Sequence, residues 1–462
     1  MLLSGDTARV MRDGLDLIRA ENEIPAAFPA EVLSAAQGAV RRDPRPEHRD
    51  RTGERFVTLD PATSVDLDQA FTIERSGTDL ILHYAIADVG WFVRPGDALD
   101  VEAFARAVTV YLPDRRAPLY PTALSEDAAS LLPHQDRPAV VFTVRVSEDG
   151  IGRLDGVERA VIRNHAKLAY DSVAPDDLPD GFVELSRRFA TAEQARKAPR
   201  VEFPEQEISR GDDGRYELRF RPRLPSEEQN AALSLTTNLA VADALVAAGT
   251  GLFRVMPDID PRQIGRLRNS ARVFGLTWAD DVPLDAFLRT LPRDDRRTSA
   301  FLLAVRRAAG GAGYAPFTAG EVPWHAAVAA TYAQATAPLR RLQDRYVIET
   351  TLAVANGSGV PPEIEEAIAR LPAAMARGEQ RANRAEREAL DLAEAVVLAG
   401  REGEVFHAVV VDEGEHGVDF QLAEPAVLAR VQARRVDPGD DIRVRLVGVD
   451  LAKRELEFER VA

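Results

Sequence analysis

The 462-residue sequence contains no cysteine, which excludes a disulfide framework, a thiolate metal site and a thiol nucleophile. Lysine is nearly absent, since only Lys167, Lys197 and Lys453 occur among 58 basic residues. No uninterrupted apolar run approaches the ~20 residues that a membrane-spanning helix needs. The N-terminus also lacks the basic and apolar regions of a secretory signal. We therefore expect a cytoplasmic protein without membrane association.

The formal net charge is −16, from 58 basic and 74 acidic residues. A charge of this sign argues against a protein that coats nucleic acid over its whole surface. It leaves room for a local basic channel, and nearly all of the positive charge is carried by arginine. Guanidinium groups suit bidentate recognition of phosphate, so a phosphate-binding path remains compatible with the composition.

The length suggests about three domains, and the pattern along the chain places boundaries at 52/53 and 398/399. Residues 1–52 are predicted to form two helices, the second beginning at Pro29, followed by a basic linker at 41–51. Two interpretations remain open for the pair: a helix-turn-helix-like unit, or two helices that simply pack. The first helix has Ala8, Met11, Leu15 and Ile18 on one face, and the second carries Val32, Leu33, Ala36 and Val40.

Residues 53–398 are predicted to form an α+β domain, because runs of strands are followed by runs of helices. Strand-forming residues with turns between them indicate strands at 56–59, 71–74, 80–87 and 140–146. Alanine-rich stretches indicate helices at 227–247, 285–291, 298–309, 337–355 and 372–398. Pro372 is expected to separate the last helix from its predecessor.

Residues 399–462 are predicted to form a small five-stranded β-barrel of the oligonucleotide-binding (OB) type. Strand patterns recur at short intervals after Gly400, which is expected to end the preceding helix. Aromatic and histidine side chains on the barrel are candidates for a surface on which RNA bases stack. These candidates are Phe406, His407, His416 and Phe420.

Three carboxylates, Asp60, Asp66 and Asp68, lie within nine residues, at the end of a predicted strand and in the loop after it. Asp66 and Asp68 are two residues apart, so in extended chain they point the same way. Hard oxygen ligands that converge in this way suit Mg²⁺, which is usually held by a few carboxylates together with substrate phosphate. A solvated acidic loop is the alternative interpretation of this window.

The aspartate window stands in a series of blocks, among them Asp66-Leu67-Asp68 and Pro338-Leu339-Arg340-Arg341, that closely resembles the RNase II / RNase R (RNB) family of exoribonucleases. The resemblance covers residues 53–462 and implies the RNB catalytic fold with a C-terminal RNA-binding barrel. The matching blocks are 59–61, 66–68, 86–89, 95–100, 110–115, 124–126, 130–133, 136–139, 167–171, 332–341 and 384–387.

The resemblance implies Mg²⁺-dependent hydrolysis of single-stranded RNA from its 3′ end, with release of nucleoside 5′-monophosphates by a monomer. It makes Asp60, Asp66 and Asp68 the metal ligands, with Asp68 also catalytic. Arg340 is expected to stabilise the charge that develops on the scissile phosphate. The RNA contacts are expected from Tyr111, Tyr170, Phe203, Arg340 and Arg341, with some arginines of the 41–51 linker along the same path.

Two departures from the family pattern bear on these expectations. Gln69 stands where the family has a fourth aspartate, and a glutamine oxygen could still ligate a metal. About fifty helical residues stand where well-known members have two cold-shock barrels, which implies a compact member with a more open approach for RNA. The main alternative is an RNA-binding protein that keeps the fold without catalysis. A metal-dependent phosphatase or endonuclease is a third possibility.

Overall fold

The computed structural model describes residues 4–199, 205–210, 216–221, 223–292, 295–414, 417–422, 424–432, 436 and 439–461. The helices are α1 (Ser4–Glu21), α2 (Ala30–Ala39), α3 (Val89–Phe92), α4 (Ala98–Arg106), α5 (Phe182–Ala195), α6 (Pro225–Ala248), α7 (Pro261–Val273), α8 (Leu284–Thr290), α9 (Arg296–Ala308), α10 (Leu342–Ala355) and α11 (Pro362–Leu398).

The strands alternate with these helices, and a sixth strand of 18 residues was not foreseen from the sequence. They are β1 (Arg49–Asp50), β2 (Phe56–Asp60), β3 (Gln69–Ser76), β4 (Asp79–Ala87), β5 (Asp136–Val146), β6 (Gly152–Ala169), β7 (Glu205–Arg210), β8 (Tyr216–Arg221), β9 (Leu252–Val255), β10 (Gly313–Pro316), β11 (Trp324–His325), β12 (Ala330–Thr331), β13 (Val405–Gly414), β14 (Gly417–Leu422), β15 (Leu428–Val431), β16 (Asp441–Asp450) and β17 (Glu455–Val461).

The domain of residues 53–398 is built on a six-stranded sheet in the order β1-β6-β2-β3-β4-β5. The sheet closes on itself, because the first part of β6 pairs antiparallel with β5 and its last part pairs parallel with β2. The carboxyl ends of β2 and β6 therefore meet, and the backbone N–H of Tyr170 donates to the carbonyl of Asp60 at 3.2 Å. This closure places Asp60 and Tyr170 side by side.

Helices α6 and α10 pack against this sheet, α11 packs against α10, and all three contribute to the main hydrophobic core. Among the described residues, α6 is the one helix that is long and apolar enough to cross a membrane, by length and composition only. Half of its apolar window is buried, and it carries buried polar side chains at Asn230, Thr236 and Asn238. A helix of this kind is typical of a protein core, so its length and composition are only weak evidence for a membrane span.

The N-terminal helices pack onto the domain that follows them, α1 against α11 and α2 against α4. Met11, Leu15 and Ile18 are completely buried, as the helical spacing predicts. In the second helix Val32 and Ala36 are buried, whereas Leu33 is 44% exposed. Each helix is thus covered by the domain that follows it, and the choice between the two interpretations of the pair stays open.

Helix α11 runs without a break through Pro372, contrary to the expected separation at that residue. A proline inside a helix removes one backbone hydrogen bond and costs about 3 kcal/mol. Four buried side chains, three before Pro372 and one after it, offset this cost through the hydrophobic effect. They are Ile364, Ile368, Leu371 and Met375.

Helix α10 begins at Leu342, five residues later than the start expected at Ala337. Residues 337–341 form a turn instead, in which the N–H groups of Arg340 and Arg341 both donate to the carbonyl of Ala337. Pro338 lies in this turn, and the residue before a proline avoids the helical conformation. The difference matters because it puts Arg340 on a loop.

The predicted C-terminal barrel is confirmed, with the strand order β15-β14-β13-β16-β17. A bridge between Gln432 and Glu459 nearly closes it. Phe406 and Phe420 are buried in its core, so their predicted role in base stacking is wrong. Successive side chains of a strand point to opposite faces of the sheet, and these two aromatic side chains point to the inner face. His407 is exposed, and His416 lies outside the described residues.

We expect Pro372→Ala to stabilise the protein, because alanine restores a backbone donor inside α11. The free energy of unfolding should rise by about 1–3 kcal/mol, measured by urea denaturation. Pro225→Ala is the matched control, because Pro225 is the first residue of α6, where proline is favourable. A loss of stability in Pro372→Ala as large as that in the control would contradict the explanation.

Candidate active site

Asp68 lies immediately before β3 and is 5% exposed. Its Oδ1 accepts a hydrogen bond from the backbone N–H of Leu339 at 2.7 Å. Its Oδ2 is 3.4 Å from Nε of Arg340, whose side chain is 48% exposed. The structure therefore brings the two predicted catalytic residues together, with a buried carboxylate facing an arginine that still reaches solvent.

Burial raises the pKa of Asp68 to about 7, against the opposing attraction of Arg340. Burial likewise raises the pKa of Asp60 to about 6, again opposed by Arg340. The Asp66 carboxylate repels both groups and adds to both shifts. The three aspartates therefore share one electrostatic site, and Arg340 does not fully compensate the buried charge.

Asp66 has a strong partner that the sequence analysis did not identify. Nη1 of Arg116 lies 2.5 Å from its Oδ1, and Nη2 of the same arginine lies 2.9 Å from Glu126. The hydroxyl of Tyr111 donates to Asp66 at 3.3 Å. Arg116 directly follows a block that resembles the family, but no local pattern indicates its partner fifty residues earlier.

Both the oxygen and the nitrogen of the Gln69 side-chain amide form hydrogen bonds within the fold. Its Oε1 accepts a hydrogen bond from the hydroxyl of Tyr84, and its Nε2 donates to the carbonyl of Thr336 at 2.6 Å. The expectation that the glutamine oxygen could ligate a metal is therefore not supported by this geometry. Gln69 instead fixes the start of the loop that carries Arg340.

The two adjacent arginines of that loop have different surroundings. The guanidinium of Arg341 forms two hydrogen bonds with Asp344, at 2.9 and 2.6 Å, and Asp344 also accepts from the N–H of Ala337. Arg341 thus holds the loop against α10, while Arg340 faces the aspartates. A contact between Arg341 and RNA stays a prediction.

The two predicted RNA-contacting tyrosines lie on either side of the aspartates. Tyr111 is 43% exposed, and the carboxylate of Glu386 on α11 lies near its backbone N–H. The hydroxyl of Tyr170 accepts from Asn230 at 2.9 Å, and burial raises the pKa of Tyr170 to about 12. Tyr170 therefore stays neutral at physiological pH. Phe203 lies outside the described residues.

Two of the linker arginines, Arg42 and Arg51, are held within the fold, and a place for the others along the RNA path stays a prediction. The guanidinium of Arg42 donates to the carbonyls of Trp91 and Phe92, at 2.9 and 2.6 Å. Arg51 is buried and forms an ion pair with Glu54 at 2.6 Å. Guanidinium groups have several donors, and here they hold the linker to the domain instead of facing a channel.

Models of two protein families match most of the chain. The model of the RNB domain matches residues 48–355, and the model of the RNase II-type exonuclease C-terminal S1 domain matches residues 404–461. The chain belongs to the RNB family. Its predicted resemblance is therefore confirmed over both the catalytic domain and the C-terminal barrel.

Curated RNB relatives are distant but cover most of the chain. Ribonuclease R of Thermotoga maritima is 26% identical over 460 residues, which cover 92% of this chain and 64% of that protein. Exoribonuclease 2 of an Enterobacter species is 28% identical over 449 residues, which cover 89% of this chain and 65% of that protein. The chain thus spans just under two thirds of the length of these relatives.

Solved structures share the RNB fold at low sequence identity. RNase R of Mycoplasma genitalium, in complex with ribose-methylated single-stranded RNA, is 20% identical with a TM-score of 0.88 and covers 98% of this chain and 78% of its own. Yeast Ssd1, a pseudonuclease, is 17% identical with a TM-score of 0.70 and covers 95% and 58%. The predicted fold is confirmed, and this fold occurs in a protein described as a pseudonuclease.

The donor chemistry of the RNB site fits a divalent cation. Asp68 offers a buried carboxylate and Asp60 a partly buried one, the protein compensates their charge only in part, and hard oxygen ligands suit Mg²⁺. Within the described residues, no three acidic or histidine side chains already converge closely enough to form a metal cluster. A cation that used Asp66 as a third ligand would have to compete with Arg116 for it.

We expect Asp68→Asn to stabilise the protein in a chelating buffer at about pH 8. The folded-state pKa of Asp68, about 7, lies above the unfolded value of about 3.9. Folding is therefore penalised once the carboxyl ionises, and the penalty grows as pH rises from about 4 to about 7. The gain in Tm should vanish near pH 4, as measured by thermal unfolding across this range.

Asp66→Asn is the matched control, because it removes the ion pair with Arg116 and should lower the Tm at about pH 8. Equal loss of stability in both variants at that pH would contradict the buried, uncompensated charge of Asp68.

Proposed function

We propose that the chain is a Mg²⁺-dependent exoribonuclease that hydrolyses single-stranded RNA from its 3′ end and releases nucleoside 5′-monophosphates. Membership of the RNB family supports an RNA-degrading hydrolase. The observation that carries the proposal is the buried Asp68 carboxylate opposite the half-exposed Arg340 guanidinium. A cation and a phosphate are the partners that such a pair lacks.

In this proposal Asp60 and Asp68 hold Mg²⁺, with Asp66 joining them when its ion pair with Arg116 opens. The cation supplies Lewis acidity and an activated water when it is bound. Arg340 binds the scissile phosphate, because its guanidinium reaches solvent beside Asp68 and can donate to two oxygens. The hydrogen bond from Leu339 to Asp68 keeps Arg340 in register with the carboxylate.

Tyr111 and Tyr170 are proposed to position the 3′-terminal nucleotides. Tyr111 is exposed beside Asp66, so its ring is available for stacking. The Tyr170 hydroxyl receives a hydrogen bond from Asn230 and keeps its own proton for a phosphate or ribose oxygen. Asn230 also donates to the carbonyl of Leu59, next to Asp60, so it links the tyrosine to the metal-binding strand.

We expect Arg340→Gln to reduce the rate of mononucleotide release about 10²–10³-fold, and Asp68→Asn to abolish it. Labelled RNA is incubated with Mg²⁺, and the products of 5′-labelled and 3′-labelled substrates are compared. Release of the label as mononucleotide from the 3′-labelled strand first establishes the direction. Arg187→Gln, an exposed arginine on α5, is the matched control and should keep full activity.

Addition of Mg²⁺ should raise the Tm more at about pH 8 than at about pH 5, because protons compete with the cation for Asp60 and Asp68. The shift is measured by thermal unfolding with and without the metal. It should be much smaller in Asp68→Asn at either pH. If Mg²⁺ raised the Tm of Asp68→Asn as much as that of the native chain, the cation would bind somewhere other than at Asp68.

A non-catalytic RNA-binding protein is the second candidate. The ion pair between Arg116 and Asp66 favours this candidate, because Arg116 occupies one of the three carboxylates that would hold the metal. Gln69, whose amide is already paired, offers no replacement ligand. Binding of RNA without release of mononucleotides, in both the native chain and Asp68→Asn, would establish this alternative.

A further inference from the structure

Arg116 connects the loop that carries Asp66 to a second carboxylate outside that loop. Nη1 of Arg116 lies 2.5 Å from Oδ1 of Asp66. On the other side of the guanidinium, Nε and Nη2 lie 3.2 and 2.9 Å from Oε1 of Glu126. Glu126 stands on the π-helical turn Leu124–Ala128, and turns of this kind are rare and often occur at functional sites. One guanidinium group therefore bridges two carboxylates.

The two carboxylates hold Arg116 unequally. A guanidinium group has five N–H donors on three nitrogens. Two of these nitrogens, Nε and Nη2, face Glu126, and the third, Nη1, faces Asp66. If the contact with Asp66 opened, Arg116 would stay bound to Glu126 and the donors of Nη1 would become free. Arg116 can thus release Asp66 and still remain beside the candidate active site.

The backbone on either side of Asp66 is fixed. The hydroxyl of Ser130 accepts from the N–H of Leu67 and donates to the carbonyl of Val65, both at 2.8 Å. The N–H of Leu131 also donates to the carbonyl of Leu67 at 3.0 Å. One serine therefore holds the residue before and the residue after Asp66, so the position of this carboxylate depends on its own side chain.

The loop that carries Arg116 is fixed as well. Its two ends pair with each other, since Val110 and Ala117 exchange backbone hydrogen bonds at 3.0 and 2.8 Å. From α1, the buried Arg19 forms an ion pair with Asp114 in the middle of the loop. The contact between Arg116 and its carboxylate can therefore open by rotation of side chains, without movement of either loop.

Arg116 and Arg340 lie close to the same hydroxyl group. The Tyr111 hydroxyl donates to Oδ2 of Asp66 at 3.3 Å, while Arg116 is bound to Oδ1. Burial and the charge of Asp66 raise the pKa of this hydroxyl, and Arg340 and Arg116 both oppose the rise. The side chain of Arg116 is 23% exposed, so a ligand can reach it. Two guanidinium groups thus stand near the residue proposed to stack on RNA.

The charges around Arg116 indicate how it would respond to a cation on Asp66. Without a cation, Asp66 and Glu126 bring two negative charges to the one positive charge of Arg116. A divalent cation on Asp66 would reverse this balance on one side and repel the guanidinium. The donors of Nη1 would then need another anionic oxygen, and the phosphate of an RNA strand supplies one.

We propose that Arg116 is a second phosphate-binding arginine of the site, which Asp66 holds until that carboxylate binds a cation and which Glu126 keeps in place afterwards. The inference rests on the proposed function, because it requires a divalent cation at the aspartates and RNA as the ligand. It gives the ion pair between Arg116 and Asp66 a role in substrate binding. Binding of the cation and binding of RNA are then coupled, and each strengthens the other by the same factor.

The first measurement is the affinity of the chain for Mg²⁺ without RNA, determined by calorimetry. Arg116→Gln should bind Mg²⁺ about tenfold more tightly, the scale of a charge-assisted hydrogen bond that no longer competes for Asp66. Glu126→Gln should bind Mg²⁺ more weakly than the native chain, because Arg116 then turns to Asp66. Arg115→Gln is the matched control, because this exposed neighbour has the same charge and pairs with Asp16 at 2.7 Å.

The second measurement is the affinity for a short single-stranded RNA in which a methylene group replaces the 3′ bridging oxygen of every linkage. This probe keeps the phosphate charge and lacks the bond that hydrolysis would break. With Mg²⁺, Arg116→Gln should lose about tenfold or more in affinity for the probe. In a chelating buffer, it should differ from the native chain no more than Arg115→Gln does, because Asp66 then holds Arg116. Thermal unfolding checks that all variants fold.

Equal Mg²⁺ affinities of Arg116→Gln and Arg115→Gln would overturn the competition for Asp66. A loss of RNA affinity in Arg116→Gln that is the same with and without Mg²⁺ would overturn the transfer of Arg116 from carboxylate to phosphate. A chain that shows both expected effects yet releases no mononucleotides would refute the proposed function alone. Release of mononucleotides by a chain whose two arginine variants bind Mg²⁺ equally would refute this inference alone.

Discussion

The hydrogen bonds that join the segment 68–69 to the loop 336–340 are the constraint on which the candidate site depends. Asp68 accepts from Leu339, and Gln69 donates to Thr336, across a separation of more than 260 residues. Tyr84 holds the other end of the Gln69 amide. Because these partners are buried, breaking any one of them would leave an unsatisfied polar group. The arginine loop is therefore positioned by the same segment that carries the acidic group.

Some charges of the candidate site are paired within the fold, and others are compensated only in part. Asp66 has Arg116, and Arg341 has Asp344, so these charges are compensated within the fold. Asp68 and Arg340 are the pair in which compensation is incomplete, since burial of the carboxyl outweighs its attraction to the exposed guanidinium. The net charge of −16 thus says little about the site, where the decisive charges are local.

Sequence reasoning predicted the fold correctly, because the fold depends on periodicity and on contiguous motifs, and the structure brings Asp60, Asp68 and Arg340 into one electrostatic site, while their roles stay predictions. It missed Arg116 and the pairing of Gln69, because a motif shows which residues are present but not which distant partner meets them. It also extended α10 into the arginine loop and broke α11 at Pro372. Local propensity favoured both errors, and tertiary packing overrode it in the long helix.

Helix α11 has a consequence for how the molecule can move. Its 37 residues extend for about 55 Å and contact α1 at one level, the arginine loop's neighbours at another and the barrel near its end. Near that end, the buried Glu394 accepts from the N–H of Leu428 in the barrel and from Gln206 in the β7–β8 hairpin. The boundary at 398/399 is therefore tied on both sides by buried contacts. Reorienting the barrel would require breaking this junction and would leave the Glu394 carboxylate without its partners.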